Sequence, residues 1–555
     1  MTVICRLFFL QVFSHDKWVA LAENQHNASL ELSAERGEIY MHDGDDERYP
    51  LAVNREYDTV FVVPKDVEEK DKVALELSRI VGMDAGEIRD KLDRPNDPFE
   101  IVKKRLSDEE VSRIQELHLK GIGLLPEKYR YYPAGELAAQ VVGFASLGEN
   151  SGAGGYGVEA SLDTELRGET GTLSQEKDAS GRWIPLSDRS IEHAENGDSI
   201  VLTLDRVIQY ETEKILKDSV ERYEADRATA IVMDPHTGNI LAMASAPQFD
   251  PNNYSKEEDY SVFLNQAVST AYEPGSIMKP ITMAIGLEEG KVSPNTEYVD
   301  TGAVTEAGYT IRNAEGKSYG RSDMYKVLDQ SINTGVIFVE KLVGNRLFGE
   351  YLRRFGFGER TGIDLPAELP GNLKNLRNER STISFFTASF GQGVTATPIQ
   401  MITAYAALAN GGRLLEPNII DKVIRPDGTE EKHEPTEVRR VISEETSKNI
   451  GQMLRSVVVN GHGKRADVPG YLVGGKTGTA QVAKTGAKGY EEGVSIGSFV
   501  GYAPINDPKF VILIKLDNPK NVEWAESSAA PTFGQIMKFL LEYAKIKPTE
   551  NIPEK

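Results

Sequence analysis

The chain has 555 residues, enough for two or more domains, and its 63 lysines and arginines against 85 acidic side chains give a net charge of −22. That balance argues against a nucleic-acid surface, which needs clustered basic residues. One cysteine, Cys5, rules out an intrachain disulfide and a multi-thiolate metal site. The eight histidines include no H-x-x-x-H pair, so no metal and no cofactor is expected.

Residues 1–14 (MTVICRLFFLQVFS) are apolar but short. At about 1.5 Å per residue they reach about 20 Å, against the roughly 30 Å of a bilayer core. They read as a buried N-terminal helix, as a partial signal sequence, or as the last turns of a membrane anchor whose start is missing. Residues 15–198 are polar and turn-rich. Arg36–Tyr40 and Leu51–Asn54 read as short strands, and Val67–Val81 as an amphipathic helix. Asp108–Leu119 reads as a second helix, introduced by Ser107 with Glu110 three residues on, the pattern of a capping box. Ser146–Gly157 reads as a flexible loop. Nothing in this region has catalytic spacing.

From Ser199 the texture changes. Ser199–Leu204 reads as a strand and Asp205–Tyr223 as a long amphipathic helix. Ala228–Met233 and Ile240–Ser245 are apolar runs joined by the turn Asp234–Asn239, a hairpin signal. Helices follow, among them Thr397–Asn410, closed by Gly411 and Gly412. Strands return at Tyr471–Val482, Ser495–Tyr502 and Phe510–Leu516, and Pro531–Ala544 closes the chain as a helix. Two early strands plus three late ones predict one five-stranded, mainly antiparallel sheet with helices on its faces, an α+β domain over 199–548. Residues 549–555 are a tail.

The densest chemistry lies in Tyr272–Pro280 (YEPGSIMKP). Ser276 and Lys279 are three apart, neighbours on one helix face. Ile277, Ile281, Ala284 and Ile285 form a buried stripe, so the helix expected to open at Ser276 is enclosed by protein. Burial lowers a lysine's pKa, and a neutral amine beside a hydroxyl is a general base beside a nucleophile. S-x-x-K also occurs at Ser14–Lys17, beside the apolar N-terminus, and at Ser174–Lys177, in a charged loop where the lysine keeps its proton. A second element, Ser331-Ile-Asn333, falls between helices expected at Met324–Asp329 and Gly335–Val343, on a loop that can aim both polar side chains into a cleft. Asn333 could orient Lys279. Its counterpart Ser447-Lys-Asn449 lies within an expected helix, Glu444–Val458. The third element, Lys476-Thr-Gly-Thr479, lies on a strand, with Lys476 and Gly478 facing one way and Thr477 and Thr479 the other. Glycines at 474, 475 and 478 suggest close approach of a ligand backbone, and an edge strand could add a peptide. A second K-T-G at Lys484–Gly486 leads into a polar hairpin tip.

In the order S-x-x-K, S-x-N, K-T-G-T, these elements resemble the penicillin-recognising serine acyltransferases, for which a closely related motif set is established. Val201–Asp205 with Gln209, Ala230–Ala244, Ser389–Pro398 and Gly474–Gln481 resemble class B penicillin-binding proteins. Arg36–Ile39, Arg130–Pro133 and Gly157–Glu159 resemble that family's non-catalytic pedestal, although Met41–Gly44 departs from its usual Asp-Arg-Asn-Gly. The resemblance implies an elongated mixed α/β pedestal or dimerisation-like domain over 15–198 and a penicillin-binding transpeptidase fold after it. It implies catalysis by Ser276, Lys279, Ser331, Asn333 and Lys476, with Thr477, Gly478 and Thr479 binding substrate. The implied substrate is a peptidoglycan stem peptide ending in D-Ala-D-Ala, and β-lactams would be covalent inhibitors. It also implies action on the extracytoplasmic face of the bacterial membrane, beside a membrane glycan polymerase and a wall-synthesis complex. Gly181–Pro185 and Lys515–Lys520 lean towards a division-type role. A carboxypeptidase, a β-lactamase and a non-catalytic β-lactam sensor or scaffold remain the alternatives.

Overall fold

The computed structural model describes residues 8, 27–32, 34–44, 47–94, 99–146, 152–176, 189–484 and 489–548. It separates into two units, Met1–Leu51 with Ala134–Lys555, and Ala52–Pro133.

In the first unit β1 (Ile39–Asp43) runs parallel to a later strand of the same unit. β2 (Glu47–Val62) begins in the first unit and continues from Ala52 in the second, which also holds α1 (Lys70–Val81), α2 (Ala85–Leu92), β3 (Glu100–Lys103), α3 (Asp108–Glu116) and β4 (Ile122–Tyr131). Both β3 and β4 pair antiparallel with β2. The helices cover that sheet with Val73, Leu77, Val81, Ile88 and Ile114, which share a core with Val60 and Val62. The capping box of α3 is formed. Ser107 Oγ accepts from the Glu110 N–H, and the Glu110 carboxylate accepts from the Ser107 N–H at 2.8 Å. β3 and β4 escaped the sequence pattern because β4 carries Pro126 and polar residues through 126–130, so its alternation is broken. The helix expected from Val67 starts at Lys70, after a 3₁₀ turn at Pro64–Asp66.

The rest of the first unit contains β5 (Ser199–Asp205), α4 (Arg206–Tyr223), β6 (Arg227–Met233), β7 (Ile240–Ala246), α5 (Lys279–Glu288), α6 (Met324–Asp329), α7 (Asn333–Val343), α8 (Pro398–Ala409), β8 (Ile420–Ile424), α9 (Glu444–Asn460), β9 (Gly474–Ala483), β10 (Tyr490–Ala503), β11 (Phe510–Asp517) and α10 (Ala529–Tyr543). Five strands form one antiparallel sheet in the order β7-β6-β11-β10-β9, so β9 is an edge. This is the sheet expected from the two early and three late apolar runs. Ser199–Leu204 belongs elsewhere, since β5 lies between β1 and β8.

One face of the five-stranded sheet packs Ala228, Ala230, Val232, Phe499, Ile512 and Ile514 against Leu216 of α4 and Phe533, Ile536, Met537 and Leu540 of α10. The valine, leucine, isoleucine, phenylalanine and methionine side chains among them each contribute about 1.5–3 kcal/mol on full burial. Two helix starts follow their sequence signals. Asp205 accepts from the Val207 and Ile208 N–H groups at the head of α4, and Thr397 with Gln400 forms a capping box at α8. Arg36, expected in a strand, precedes β1 and is buried, donating to Glu159 at 2.7 Å and to Asp163 at 2.8 Å. Ser174 stands on the strand Gly171–Glu176 and not in the charged loop expected there. Residues 1–7, 9–26 and 181–185 lie outside the described residues. Among the described residues no helix is long and apolar enough to cross a membrane.

Candidate active site

Gly275–Met278 form a 3₁₀ turn, and the α-helix proper begins at Lys279. The helix expected from Ser276 is corrected by its own proline. An α-type bond to the Ser276 carbonyl would need an N–H at position 280, and Pro280 has none. The Lys279 N–H bonds that carbonyl instead, the i→i+3 pattern of a 3₁₀ turn. Side chains three apart eclipse there, so Ser276 and Lys279 still share a face. Gly275 has φ +58° and donates to the Gly391 carbonyl at 3.1 Å. The buried Tyr405 hydroxyl donates to the Ile277 carbonyl at 2.8 Å. Tyr272, just before the turn, lies under the Lys515 ammonium, 5.3 Å from the ring centroid.

Lys279 is 1 % exposed. Its Nζ reaches the Ser331 carbonyl at 2.5 Å and Ser331 Oγ at 3.0 Å. Burial, and secondly the charge of Lys476, hold its pKa well below the ordinary lysine range. Ser331 stands at φ +53°, the left-handed position that closes α6 and that glycine usually occupies. A non-glycine residue there stores about 1–3 kcal/mol, and such strain clusters at functional sites.

Asn333 does not sit on a loop. It is the first residue of α7, and its side-chain amide donates to the Arg312 carbonyl at 3.0 Å. Lys279 is held by Ser331 and not by Asn333. The helix expected from Gly335 starts two residues earlier, and Gly335 serves packing within it: a Cβ there would lie 2.5 Å from Val327 Cγ2.

The third wall is β9. Lys476 is fully buried, with Nζ 3.2 Å from the Thr477 carbonyl. Burial pushes its pKa down to about 7 against the opposing fields of Asp329 and Glu526. Thr477 and Thr479 face the cleft, and Thr479 Oγ1 accepts from the Ala525 N–H at 3.2 Å. The glycines that suggested a ligand's approach are filled against by the protein itself. A Cβ at 474 would meet Ile505 at 2.4 Å, one at 475 the Phe499 ring at 2.5 Å, and one at 478 Ser498 Oγ at 2.7 Å and the Pro274 carbonyl at 3.0 Å. Gly478 thus lets the strand lie directly on the Ser276 turn.

Ser276, Lys279, Ser331, Asn333, Thr477 and Thr479 line one cleft of about 240 Å³, together with Tyr319, Phe390, Gln392, His462, Trp524 and Glu526. No motif announced His462, Trp524 or Glu526, which reach the cleft from loops distant in sequence. The other motif copies are placed otherwise. Ser447 Oγ donates to the Leu408 carbonyl at 2.6 Å inside α9, and Lys484 is exposed. Among the described residues no group of His, Cys, Asp or Glu is placed to hold a metal.

Comparison with known proteins gives this geometry its family. The model of the penicillin-binding protein transpeptidase domain matches residues 228–538, and that of the penicillin-binding protein dimerisation domain matches 31–202. Stage V sporulation protein D of Bacillus subtilis is 36% identical over 99% of this chain and 84% of its own length. The chain belongs to the class B penicillin-binding proteins. Further members among its relatives are PbpB of Mycobacterium tuberculosis, 32% identical over 99% of this chain and 83% of that protein, and the probable peptidoglycan D,D-transpeptidase PenA of Neisseria gonorrhoeae, 30% identical over 99% and 91%. The aztreonam-complexed crystal structure of penicillin-binding protein 3 from M. tuberculosis superposes on this class B protein with a TM-score of 0.73 at 28% identity, covering 94% of this chain and 99% of that one.

Proposed function

We propose that this chain is a serine D,D-transpeptidase that cross-links peptidoglycan stem peptides through an acyl-enzyme on Ser276. The observation that carries this reading is the enclosed Lys279, held by Ser331 and kept neutral by burial, in the cleft that Ser276 lines. Neutral Lys279 takes the Ser276 proton, and Oγ attacks the carbonyl of the penultimate D-Ala. The Thr479 carbonyl points at the Gly275 turn, 3.3 Å from where a Cβ would stand. N–H and C=O of one strand residue point the same way, so the Thr479 N–H lies on that free edge too. With the Ser276 N–H it serves as the oxyanion hole, where one donor is worth about 100- to 1,000-fold in rate. The Thr477 and Thr479 hydroxyls hold the terminal carboxylate with Lys476 buried beside them, outside the cleft lining, and Ser331 returns a proton to the departing D-Ala. Asn333 takes a substrate amide. An amine from a neighbouring stem then attacks the acyl-enzyme. β-Lactams enter by the same route and stay attached.

Residues 15–198 serve as pedestal, and 199–548 as the catalytic domain, on the extracytoplasmic side of the bacterial membrane beside a glycan polymerase. Similarity to a stage V sporulation protein supports a division- or sporulation-type role over elongation. Fluorescent penicillin followed for hours tests the reading. Stable label that disappears in Ser276→Ala supports it. Fast turnover of the label would establish a β-lactamase, and stable label without donor–acceptor cross-linking a sensor.

A further inference from the structure

The cleft has a floor that accounts for the donor peptide and a rim that does not. Every group just assigned serves the donor peptide, its carboxylate or the oxyanion formed from it. The second substrate is an amine, which arrives as an ammonium and must lose a proton before it can attack. Two acids line the cleft, Glu315 and Glu526. Glu315 is occupied by Lys317, 2.5 Å away. Glu526 instead meets an imidazole: His462 Nδ1 lies 2.8 Å from its Oε2, with the two side chains 44 % and 42 % exposed. A carboxyl group beside a ring nitrogen brings acceptor atoms to the rim, which suit an ammonium.

The pair is fixed from both walls. The His462 N–H donates to the Asp329 carbonyl at 3.3 Å, and Gly461 packs so closely that a Cβ would come within 2.4 Å of that oxygen. Asp329 ends α6 two residues before Ser331. On the other side Ala525, next to Glu526, donates its N–H to Thr479 Oγ1. The contact therefore joins the Ser331 wall to the Thr479 wall and places an acid–imidazole pair in the space that Ser276 shares. With Glu526 accepting from Nδ1–H, the lone pair remains on Nε2, the arrangement of a base oriented by a carboxylate.

Resting on the transpeptidase reading, we infer that the His462–Glu526 pair is the subsite for the acceptor ammonium and takes its first proton. The R–NH₃⁺ group gives one proton to His462 Nε2. The amine nitrogen then forms its bond to the acyl carbonyl carbon while the bond from that carbon to Ser276 Oγ breaks. The second amine proton passes through Lys279 to Ser276 Oγ, and His462 releases its proton to water. Acyl-enzyme plus ammonium thus become amide, free enzyme and one proton.

The test uses the full chain, a thioester donor with a D-alanyl terminus, and a stem tripeptide with a side-chain ammonium as acceptor. The ratio of amide formed to donor hydrolysed is read for wild type, His462→Ala, His462→Gln and His462→Lys. The ratio is expected to fall at least about tenfold in all three, less than the roughly 100- to 10,000-fold of a fully enclosed acid or base because this site is half exposed. His462→Gln keeps a hydrogen bond to Glu526 and is expected to lose kcat for the acceptor more than its KM. His462→Lys neutralises Glu526 and is expected to raise acceptor KM most. With an uncharged alcohol as acceptor the difference between His462→Lys and His462→Gln disappears, which a purely structural role would not produce. A ratio within about twofold of wild type in His462→Gln and His462→Lys overturns the subsite. Failure of the wild-type chain to bind fluorescent penicillin overturns the transpeptidase reading itself, so the two failures are distinct.

Discussion

Gly391→Ala tests whether the seat of Ser276 is set by backbone packing. Gly391 has φ +81°, and a Cβ there would lie 2.3 Å from the Gly275 carbonyl oxygen and 2.5 Å from its nitrogen. Both are backbone atoms, so no rotamer relieves the overlap. Real Cβ contacts start at 3.0 Å, so the turn before Ser276 must retreat by 3.0 − 2.3 = 0.7 Å or more. The left-handed conformation adds about 1–2 kcal/mol for a residue with a Cβ. Misplacement of about 1 Å at a reacting group costs about 100-fold. The expected result is a fall in the second-order rate of penicillin acylation of about 30- to 100-fold, read by gel fluorescence. Circular dichroism is expected to be unchanged and Tm only a few degrees lower. A rate within about threefold of wild type in a protein of unchanged Tm would show that the contact does not position Ser276.

Lys279→Met removes the base and keeps the shape; acylation by penicillin is expected to drop by at least about 100-fold, and wild-type acylation to decline on acidification as Lys279 takes up its proton. Lys476 titrates near 7 when folded and near 10.5 when unfolded. Between those values the unfolded chain holds the extra proton, so stability rises with pH across that window. Lys476→Met is therefore expected to raise Tm little above pH 10.5, progressively more down to about 7, and by a constant margin below it; a pH-independent margin would contradict the burial argument. Glu340 in α7 is buried with neither carboxylate oxygen hydrogen-bonded, and burial lifts its pKa to about 7 from 4.5. Here the folded state holds the extra proton, so stability falls as pH rises from 4.5 to about 7. Glu340→Met is expected to raise Tm most above pH 7, and thermal melts from pH 4.5 to 8 check it.

The five-stranded sheet was legible because β6, β7 and β11 are short apolar runs, and β9 and β10 each contain a stretch bounded by glycine, proline or asparagine. The candidate cleft was legible in part, because Ser276, Ser331 and Thr477 belong to three short motifs, which lie on a 3₁₀ turn, a helix junction and an edge strand. Three things were not. The 3₁₀ turn at Ser276 follows from Pro280 only when one asks which N–H can reach the Ser276 carbonyl. The glycines of Gly474–Gly478 look like room for a ligand until Ile505, Phe499 and Pro274 are seen to fill that room. Finally, His462 and Glu526 are 64 residues apart and meet only because Gly461 packs on Asp329 and Ala525 bonds Thr479. No local pattern encodes that meeting.

The central claim is that Ser276 forms an acyl-enzyme whose acyl group passes to an amine. Peptide mapping by mass spectrometry of the chain, quenched while turning over a D-Ala-D-Ala stem peptide with and without an acceptor amine, tests it directly. The expected result is an acyl adduct of the donor minus one D-Ala on the peptide carrying Ser276, drained into cross-linked dimer when acceptor is added. An adduct on another residue, or donor released only as the free acid whatever the acceptor concentration, would contradict it.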